Sequence, residues 1–269
     1  MRIFILTLIT VFMSLPAHSS DFAEFQQILD KYLVVTDLPG GGLQTAFDYD
    51  KFYKDPNQQK LISAQKEKLK NFDLKSLKNK NIATAFWINA YNFSMVQVII
   101  EKGYKKGKRD VNSVKDFGSF FNPYAIFKKE FINIGGKQFS LDKIEKGTLL
   151  SEAYKKKSWK DARIHFAVNC ASVGCPPLVS KIYTESTLDS MLDDNIRKAF
   201  KTPRHLSIKG KELHFTHLFK WYKKDFEEHS GSVKAFIKKY SDNAKSIDAT
   251  KDVEHIDYDW KLNRPGNFK

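Results

Sequence analysis

The chain has 269 residues, of which 42% are hydrophobic and 14% aromatic, so it has ample material for a folded core and is not intrinsically disordered. Two cysteines are too few for a disulfide scaffold or a four-cysteine zinc site. The formal net charge of +14 favours an anionic partner or surface and carries no information about the fold.

The first 19 residues have the pattern of a secretory signal peptide. Arg2 supplies a positive charge, residues 3–13 form an apolar run, and Ala17 and Ser19 place small residues before a cleavage site. The run is short for a permanent membrane span, which makes the alternative of an N-terminal anchor weaker. We therefore predict cleavage after Ser19, a periplasmic or secreted protein, and no stable membrane span after cleavage.

Helical periodicity dominates the N-terminal part of the mature chain. Apolar residues at helical spacing predict helices over residues 21–36 and 57–78, so that residues 20–80 form a helical lead-in. The apolar stretch 83–100, which precedes Gly103, predicts a single buried helix.

The middle of the chain mixes strand and helix signals. Gly135 and Gly136 predict a tight hairpin turn within residues 131–141, and a short helix is expected to follow as far as Leu150. Residues 163–169 are predicted to form a buried strand, which ends in a turn-rich segment over residues 170–177.

The C-terminal part is predicted to contain more helices and a second hairpin. The pattern favours helices over 188–200, 217–226 and 233–240, with the hairpin over 206–215. We therefore predict an α+β fold: a single domain with a mixed or antiparallel sheet packed by helices, with its core in residues 81–264 and a short tail over 265–269.

Two asparagines interrupt the apolar helix over residues 83–100. Asn89 and Asn92 lie three residues apart and therefore share a helix face, and a buried amide must find hydrogen-bond partners. Asn92 is expected to fix a neighbouring loop. For Asn89, the sequence supports a structural role and a role in orienting a catalytic group equally. Trp87 and Tyr91, which flank these amides, are candidates for substrate binding together with Asn92.

A second polar cluster contains a histidine, an asparagine and two cysteines. On a strand, His165 and Asn169 would face one side and Cys170 the other, so that a His165–Cys170 pair requires a turn at Asn169. Cys170 and Cys175 could form a disulfide or supply a reactive thiol, because both states are compatible with an exported chain. Zinc is disfavoured, since no further cluster of cysteine or histidine completes a site.

The lysine residues are scattered along the chain, as expected if they lie on the exposed faces of helices. No zinc-finger or helix-turn-helix spacing and no alternation of aromatic and basic residues indicates nucleic acid binding. Anionic polymers or peptides of the cell envelope are the partners that this charge favours. We predict neither a cofactor nor a metal and make no prediction of the oligomeric state.

Several segments together resemble one protein family. They are residues 86–92, the hairpin with Gly135-Gly136, residues 141–145, residues 165–177, residues 221–226 and residues 258–263. In this order they resemble the family called domain of unknown function 547, in its exported bacterial form. The resemblance implies an enzyme-like pattern of polar residues, compatible with a cysteine hydrolase. This chain has Lys146 where the family often has histidine, so that, if that histidine is the catalytic base elsewhere in the family, this chain must use His165 or have lost activity.

Two functions follow as hypotheses. The first is a cysteine-dependent hydrolase or acyl transferase acting on amide bonds, with Cys170 as nucleophile, His165 as base and Asn89 or Glu145 as the orienting group. Substrate contacts would then come from residues near the nucleophile, namely Asn169, Ser172 and Cys175. The alternative is a non-catalytic, basic envelope-binding domain that is stiffened by a Cys170–Cys175 disulfide.

Overall fold

A computed structural model describes residues 20–268 of the chain. The signal peptide predicted over residues 1–19 lies outside the described residues. The α-helices are α1 (Ala23–Tyr32), α2 (Tyr49–Lys54), α3 (Gln58–Lys70), α4 (Lys80–Lys102), α5 (Ala125–Lys128), α6 (Leu141–Ile144), α7 (Glu152–Lys156), α8 (Leu188–Phe200), α9 (Leu218–Trp221), α10 (Lys223–Ser230), α11 (Val233–Tyr240) and α12 (Ala244–Asp248). The strands are β1 (Leu33–Leu38), β2 (Gly42–Phe47), β3 (Tyr104–Lys105), β4 (Lys108–Arg109), β5 (Ile132–Ile134), β6 (Lys137–Phe139), β7 (Leu206–Lys209), β8 (Glu212–Thr216) and β9 (Asp252–Ile256).

The strands form small sheets rather than one large one. β1–β2, β3–β4 and β5–β6 are antiparallel pairs, and β7–β8–β9 form a mixed sheet in which β8 and β9 run parallel. Gly135 and Gly136 both have positive φ in the β5–β6 turn, as the predicted hairpin requires. The fold is α+β, as predicted.

Helix α4 is the centre of the larger of two hydrophobic clusters. Every residue from 83 to 100 is buried, and the Asn79 side chain caps the helix by accepting a hydrogen bond from the Ile82 amide. A helix that is buried on all sides needs apolar residues all round, which explains why this segment shows little amphipathic periodicity. The single buried helix expected over residues 83–100 is confirmed.

A second cluster of buried side chains lies in the C-terminal part of the chain. Phe166, Phe219, Phe226 and Phe236 form its aromatic centre, between α8, α10, α11 and the mixed sheet. Each fully buried phenylalanine contributes roughly 2–3 kcal/mol through the loss of apolar surface from water. This cluster supports one wall of the pocket described below.

Two predicted helices end earlier than expected. The helix predicted over 21–36 ends at Tyr32, because the β-branched residues that follow pair with β2 as strand β1. The helix predicted over 57–78 ends at Lys70, and Asp73 then caps a separate 3-10 turn over Leu74–Ser76. The lead-in of residues 20–80 therefore contains a hairpin as well as helices.

The strand predicted over residues 163–169 is wrong. Asp161 caps a 3-10 helix over Ala162–Phe166 by accepting a hydrogen bond from the Arg163 amide, and an irregular loop follows. Consecutive residues from 164 to 167 are buried, so that the alternation of a half-buried strand is absent.

The helix predicted over 217–226 is also divided, because Tyr222 leaves the helical conformation between α9 and α10.

Candidate active site

A pocket of about 480 Å³ lies between the two hydrophobic clusters. Its aromatic lining residues are Tyr91, Tyr124, Phe127, Trp221, Tyr222, Tyr258 and Trp260. Its lining residues with titratable groups or sulfur include Asp142, Glu145, Lys146, His165, Cys170 and Cys175. A concave site with apolar walls and a few convergent polar groups is the usual form of a small-molecule or active site.

His165 is buried at the wall of this pocket and is held by a carboxylate. Its Nε2–H donates to Asp225 Oδ2 at 2.9 Å, and its ring stacks on Tyr222 with centroids 3.8 Å apart. The His165 side chain is 1% exposed, and its Nδ1 has no hydrogen-bond partner among residues 20–268. A carboxylate that fixes one ring nitrogen leaves the other as a base; catalytic triads use the same principle with the nitrogens exchanged, the carboxylate on Nδ1 and the base at Nε2.

Asp225 remains ionised over the physiological range. Burial alone would raise its pKa, but hydrogen bonds from His165 and from Lys160 outweigh this effect and lower the pKa to about 2. Lys160 Nζ lies 2.6 Å from Asp225 Oδ1 and also pairs with Glu228. The negative charge therefore fixes the tautomer of His165 in which Nε2 carries the proton.

Glu145 is the second titratable group of the pocket and lies at the start of a π-helical turn, Glu145–Leu149. Desolvation by burial raises the pKa of its carboxyl above the ordinary value, although the nearby His165 and a hydrogen bond with Tyr222 act in the opposite direction. Single π-helical turns occur often at functional sites. A buried carboxyl with a raised pKa is suited to general acid catalysis.

Cys170 and Cys175 are joined by a disulfide, which lines the pocket. The Tyr258 hydroxyl lies 3.1 Å from both sulfur atoms, and the Cys170 amide donates to Cys175 Sγ at 3.0 Å. Of the two alternatives left open by the sequence, the structure shows the disulfide. Cys170 is therefore not a free thiol in this state.

The loop that carries the disulfide is fixed by the C-terminal segment of residues 258–263. The Val173 amide donates to the Lys261 carbonyl and the Gly174 amide to the Asp259 carbonyl, each at 2.8 Å. A Cβ atom on Gly174 would lie 3.0 Å from ring atoms of Tyr258 and from the Asp259 amide nitrogen, so that a larger residue here would force these neighbours to move. These contacts hold the loop independently of the disulfide.

Asn92 and Asn169 position the same loop from its other side. Asn92 Nδ2 donates to the Ala167 carbonyl at 2.9 Å, and its Oδ1 accepts from the Asn169 amide at 2.8 Å. Asn169 in turn donates to the Pro176 carbonyl and accepts from the Ala171 amide. Ala171, with φ of 59°, is a non-glycine residue in the left-handed region, which these bonds stabilise.

The other residues singled out from the sequence are distributed differently. Asn89 is not among the residues lining the pocket, since both ends of its amide bond the backbone of Tyr183. Trp87 is buried against Phe139 instead. Tyr91 lines the pocket, and Ser172 Oγ lies 3.5 Å from Cys170 Sγ.

The residue that orients His165 is one that sequence reasoning missed. We expected Asn89 or Glu145 in that position, and the structure places Asp225 there. Asp225, Tyr222 and Tyr258 belong to segments that the resemblance had included without any functional assignment. The aromatic and acidic residues of these segments were the only sign of a functional role. The contact between His165 and Asp225 could not be predicted from local spacing, because the two residues lie 60 positions apart in the sequence.

Lys146 lines the pocket and pairs with Asp142 at 3.0 Å. It therefore places a cation at the pocket. Within residues 20–268, no group of three or more histidine, cysteine or acidic side chains is arranged to hold a metal ion. None of the helices in this part of the chain is long and apolar enough to cross a bilayer.

Residues 74–199 match the family described as "Protein of unknown function, DUF547". This segment is a DUF547 domain. The DUF547 segment supplies Glu145, His165 and both cysteines, whereas Asp225 and Tyr258 come from the chain beyond it. No curated protein and no solved structure compared with the chain is significantly similar to it.

Proposed function

We propose that the DUF547 chain is a cysteine-dependent hydrolase or acyl transferase whose active site is this pocket and whose disulfide form is a resting state. The observation that carries the proposal is the buried His165, with Nε2 held by Asp225 and Nδ1 unpaired, in the pocket that also contains Cys170. Buried polar atoms usually have hydrogen-bond partners; His205 also has an unpartnered Nδ1 but does not line the pocket, whereas His165 does.

The position of the disulfide supports a chemical role. Its cysteines are only five residues apart, so that it closes a short loop and contributes about 2 kcal/mol through chain entropy. The loop is already held by backbone hydrogen bonds to residues 259 and 261. A disulfide that closes a loop already held by other contacts and lines a pocket beside a histidine is suited to reversible reduction.

Reduction by a dithiol would transfer two electrons to the disulfide and release both thiols. His165 would take the proton of the Cys170 thiol, and the thiolate would attack a carbonyl carbon of the substrate. His165 or Glu145 would then protonate the leaving amine or alcohol, and the acyl group would pass from Cys170 to water or to another acceptor. The Tyr258 hydroxyl, near both sulfur atoms, would stabilise the thiolate.

The proposal also includes export. The pattern of residues 1–19 favours a periplasmic or secreted protein, and such compartments allow disulfides to persist. A substrate with amide bonds in the cell envelope is therefore the class that we propose. The non-catalytic alternative, a basic envelope-binding domain, is supported by the disulfide and the net charge but leaves the unpaired Nδ1 of His165 without a role.

The proposal is tested with oxidised and dithiothreitol-reduced protein on p-nitrophenyl acetate and on acyl-peptide anilides. We expect hydrolysis above background only after reduction, no activity in Cys170→Ala, and a loss of about 10²–10⁴-fold in His165→Gln. Cys175→Ala is the matched control, because it should be active without reductant. Full activity of reduced Cys170→Ala would show that the sulfur is not the nucleophile, and inactivity of the reduced wild type towards all substrates would favour the binding domain.

A further inference from the structure

A two-residue turn beside the pocket exposes two adjacent phenylalanines. Phe120 and Phe121 are each 94% exposed, far above the other large hydrophobic side chains of the described residues. They lie in the connection between a 3-10 helix, Val114–Phe117, and α5, and the turn is followed at once by pocket residues Asn122 and Tyr124. A single exposed apolar side chain is ordinary, but two fully exposed neighbouring rings mark an interaction site.

The turn is a defined structure. The Ser119 and Asn122 backbones exchange hydrogen bonds of 3.1 and 3.2 Å, and the Ser119 hydroxyl also accepts from the Asn122 amide. At Gly118 a Cβ atom would lie 2.2 Å from the Asn122 carbonyl oxygen, so that the closure requires glycine. The central positions of tight turns usually carry glycine, asparagine or aspartate, whereas this turn has phenylalanine at both. Residues that depart from the preference of their local structure in this way are typical of functional sites.

Lysines and amphipathic aromatic residues lie near the turn in sequence or line the same pocket as the residues that follow it. Lys128 and Lys129 are exposed at the end of α5, and Lys115 Nζ lies 4.8 Å from the ring centre of Trp260. Tyr124 and Trp221 are 39% and 46% exposed on the same rim of the pocket. Tyrosine and tryptophan at the boundary of an apolar tip, with lysines beside them, match the layered polarity of a lipid bilayer surface.

We propose that this turn docks the protein on a membrane that contains anionic lipids, with Phe120 and Phe121 entering the interfacial region. The lysines would contact the anionic headgroups, and the pocket mouth would then lie close to the lipid surface. The observations favour a bilayer over a protein partner because the tip is small, with two exposed apolar rings, and because the lysines that flank it in sequence, Lys115, Lys128 and Lys129, complement anionic headgroups. The proposal does not depend on catalysis in the pocket.

The test is sedimentation of the protein with vesicles of phosphatidylcholine alone and of phosphatidylcholine with phosphatidylglycerol. The experiment uses protein that lacks residues 1–19, as verified by its intact mass, because the apolar run in that segment would itself bind vesicles. We expect binding to the anionic vesicles that weakens with salt, and a loss of affinity of at least about tenfold in Phe120→Ser/Phe121→Ser. Lys128→Gln/Lys129→Gln should also bind more weakly to anionic vesicles.

Two matched variants distinguish binding through this turn from nonspecific binding of the protein to vesicles. Val34→Ser/Val35→Ser removes two partly exposed apolar side chains from β1, and Lys209→Gln/Lys211→Gln removes two exposed lysines from the β7–β8 hairpin. Both should bind as the wild type does. No binding by the wild type, or equal binding by the phenylalanine variant, would overturn the proposal. A dimer seen by light scattering that the phenylalanine variant dissociates would instead identify a second copy of the chain as the occupant.

Discussion

The ring of Tyr222 stacks on the imidazole of His165 with their centroids 3.8 Å apart, while its hydroxyl forms a hydrogen bond with Glu145. One side chain therefore contacts both titratable groups of the pocket that are candidates for acid–base chemistry. This connection allows the environment of Glu145 to be changed without removing any charge.

Replacing Tyr222 with phenylalanine should raise the pKa of Glu145 further. The hydrogen bond from Tyr222 favours the charged carboxylate, so its removal favours the neutral acid, while the stacked ring is retained. The measurement is an NMR titration of the Glu145 carboxyl carbon. Tyr53→Phe is the control, because it likewise removes a hydroxyl from a stacked tyrosine, which packs on Tyr104, and leaves the ring in place. An unchanged or lower pKa in Tyr222→Phe would show that the hydroxyl does not act on Glu145.

The contribution of Asp225 to stability should depend on pH. Its pKa is lowered from 3.8 to about 2 in the folded protein, so the stabilisation is complete above pH 4 and is lost as the pH falls towards 2. Asp225→Asn should therefore lower the free energy of unfolding by on the order of 1–2 kcal/mol at pH 7, and the difference from the wild type should shrink below pH 4. Urea unfolding at several pH values measures this.

The control for that experiment is Asp37→Asn, which alters an exposed aspartate in β1. It should change the free energy of unfolding by less than about 0.5 kcal/mol at each pH. A destabilisation by Asp225→Asn that is the same at pH 7 and at pH 3 would mean that it arises from packing and not from the charge.

The cysteines should not react with iodoacetamide before reduction. Because Cys170 and Cys175 are bonded to each other, native alkylation should leave the mass of the protein unchanged, and prior reduction should add two carbamidomethyl groups. Loss of the bond in Cys170→Ser/Cys175→Ser should lower the free energy of unfolding by about 2 kcal/mol. Labelling of either cysteine without reductant would contradict the disulfide.

Asn92→Ala should destabilise the protein strongly. The substitution leaves the Ala167 carbonyl and the Asn169 amide buried without their partner, which costs about 2–4 kcal/mol in the free energy of unfolding. Asn71→Ala, at an exposed helix end, is the matched control and should cost much less. A small effect at Asn92 would mean that the loop finds other partners.

Local periodicity predicted much of the fold. Helices α8 and α11 were predicted with the bounds that the structure shows, because each has a continuous amphipathic pattern and Ser232 caps α11. The segment over residues 163–169 was mistaken for a strand because its burial depends on packing between the two clusters and not on alternation. The same limit applies to the site, where His165 was predicted but its partner Asp225 lies 60 residues away.

The segment between Cys170 and Cys175 is bound to Asn169 through the Ala171 amide and to the backbone of Asp259, Lys261 and Asn263, as well as by its own disulfide. These attachments do not involve the sulfur–sulfur bond, so they persist when it is opened. A change in redox potential would thus alter the reactivity of the two sulfur atoms while leaving their surroundings preorganised. Under the proposed function, reduction would therefore activate the enzyme without a large rearrangement and at little entropic cost.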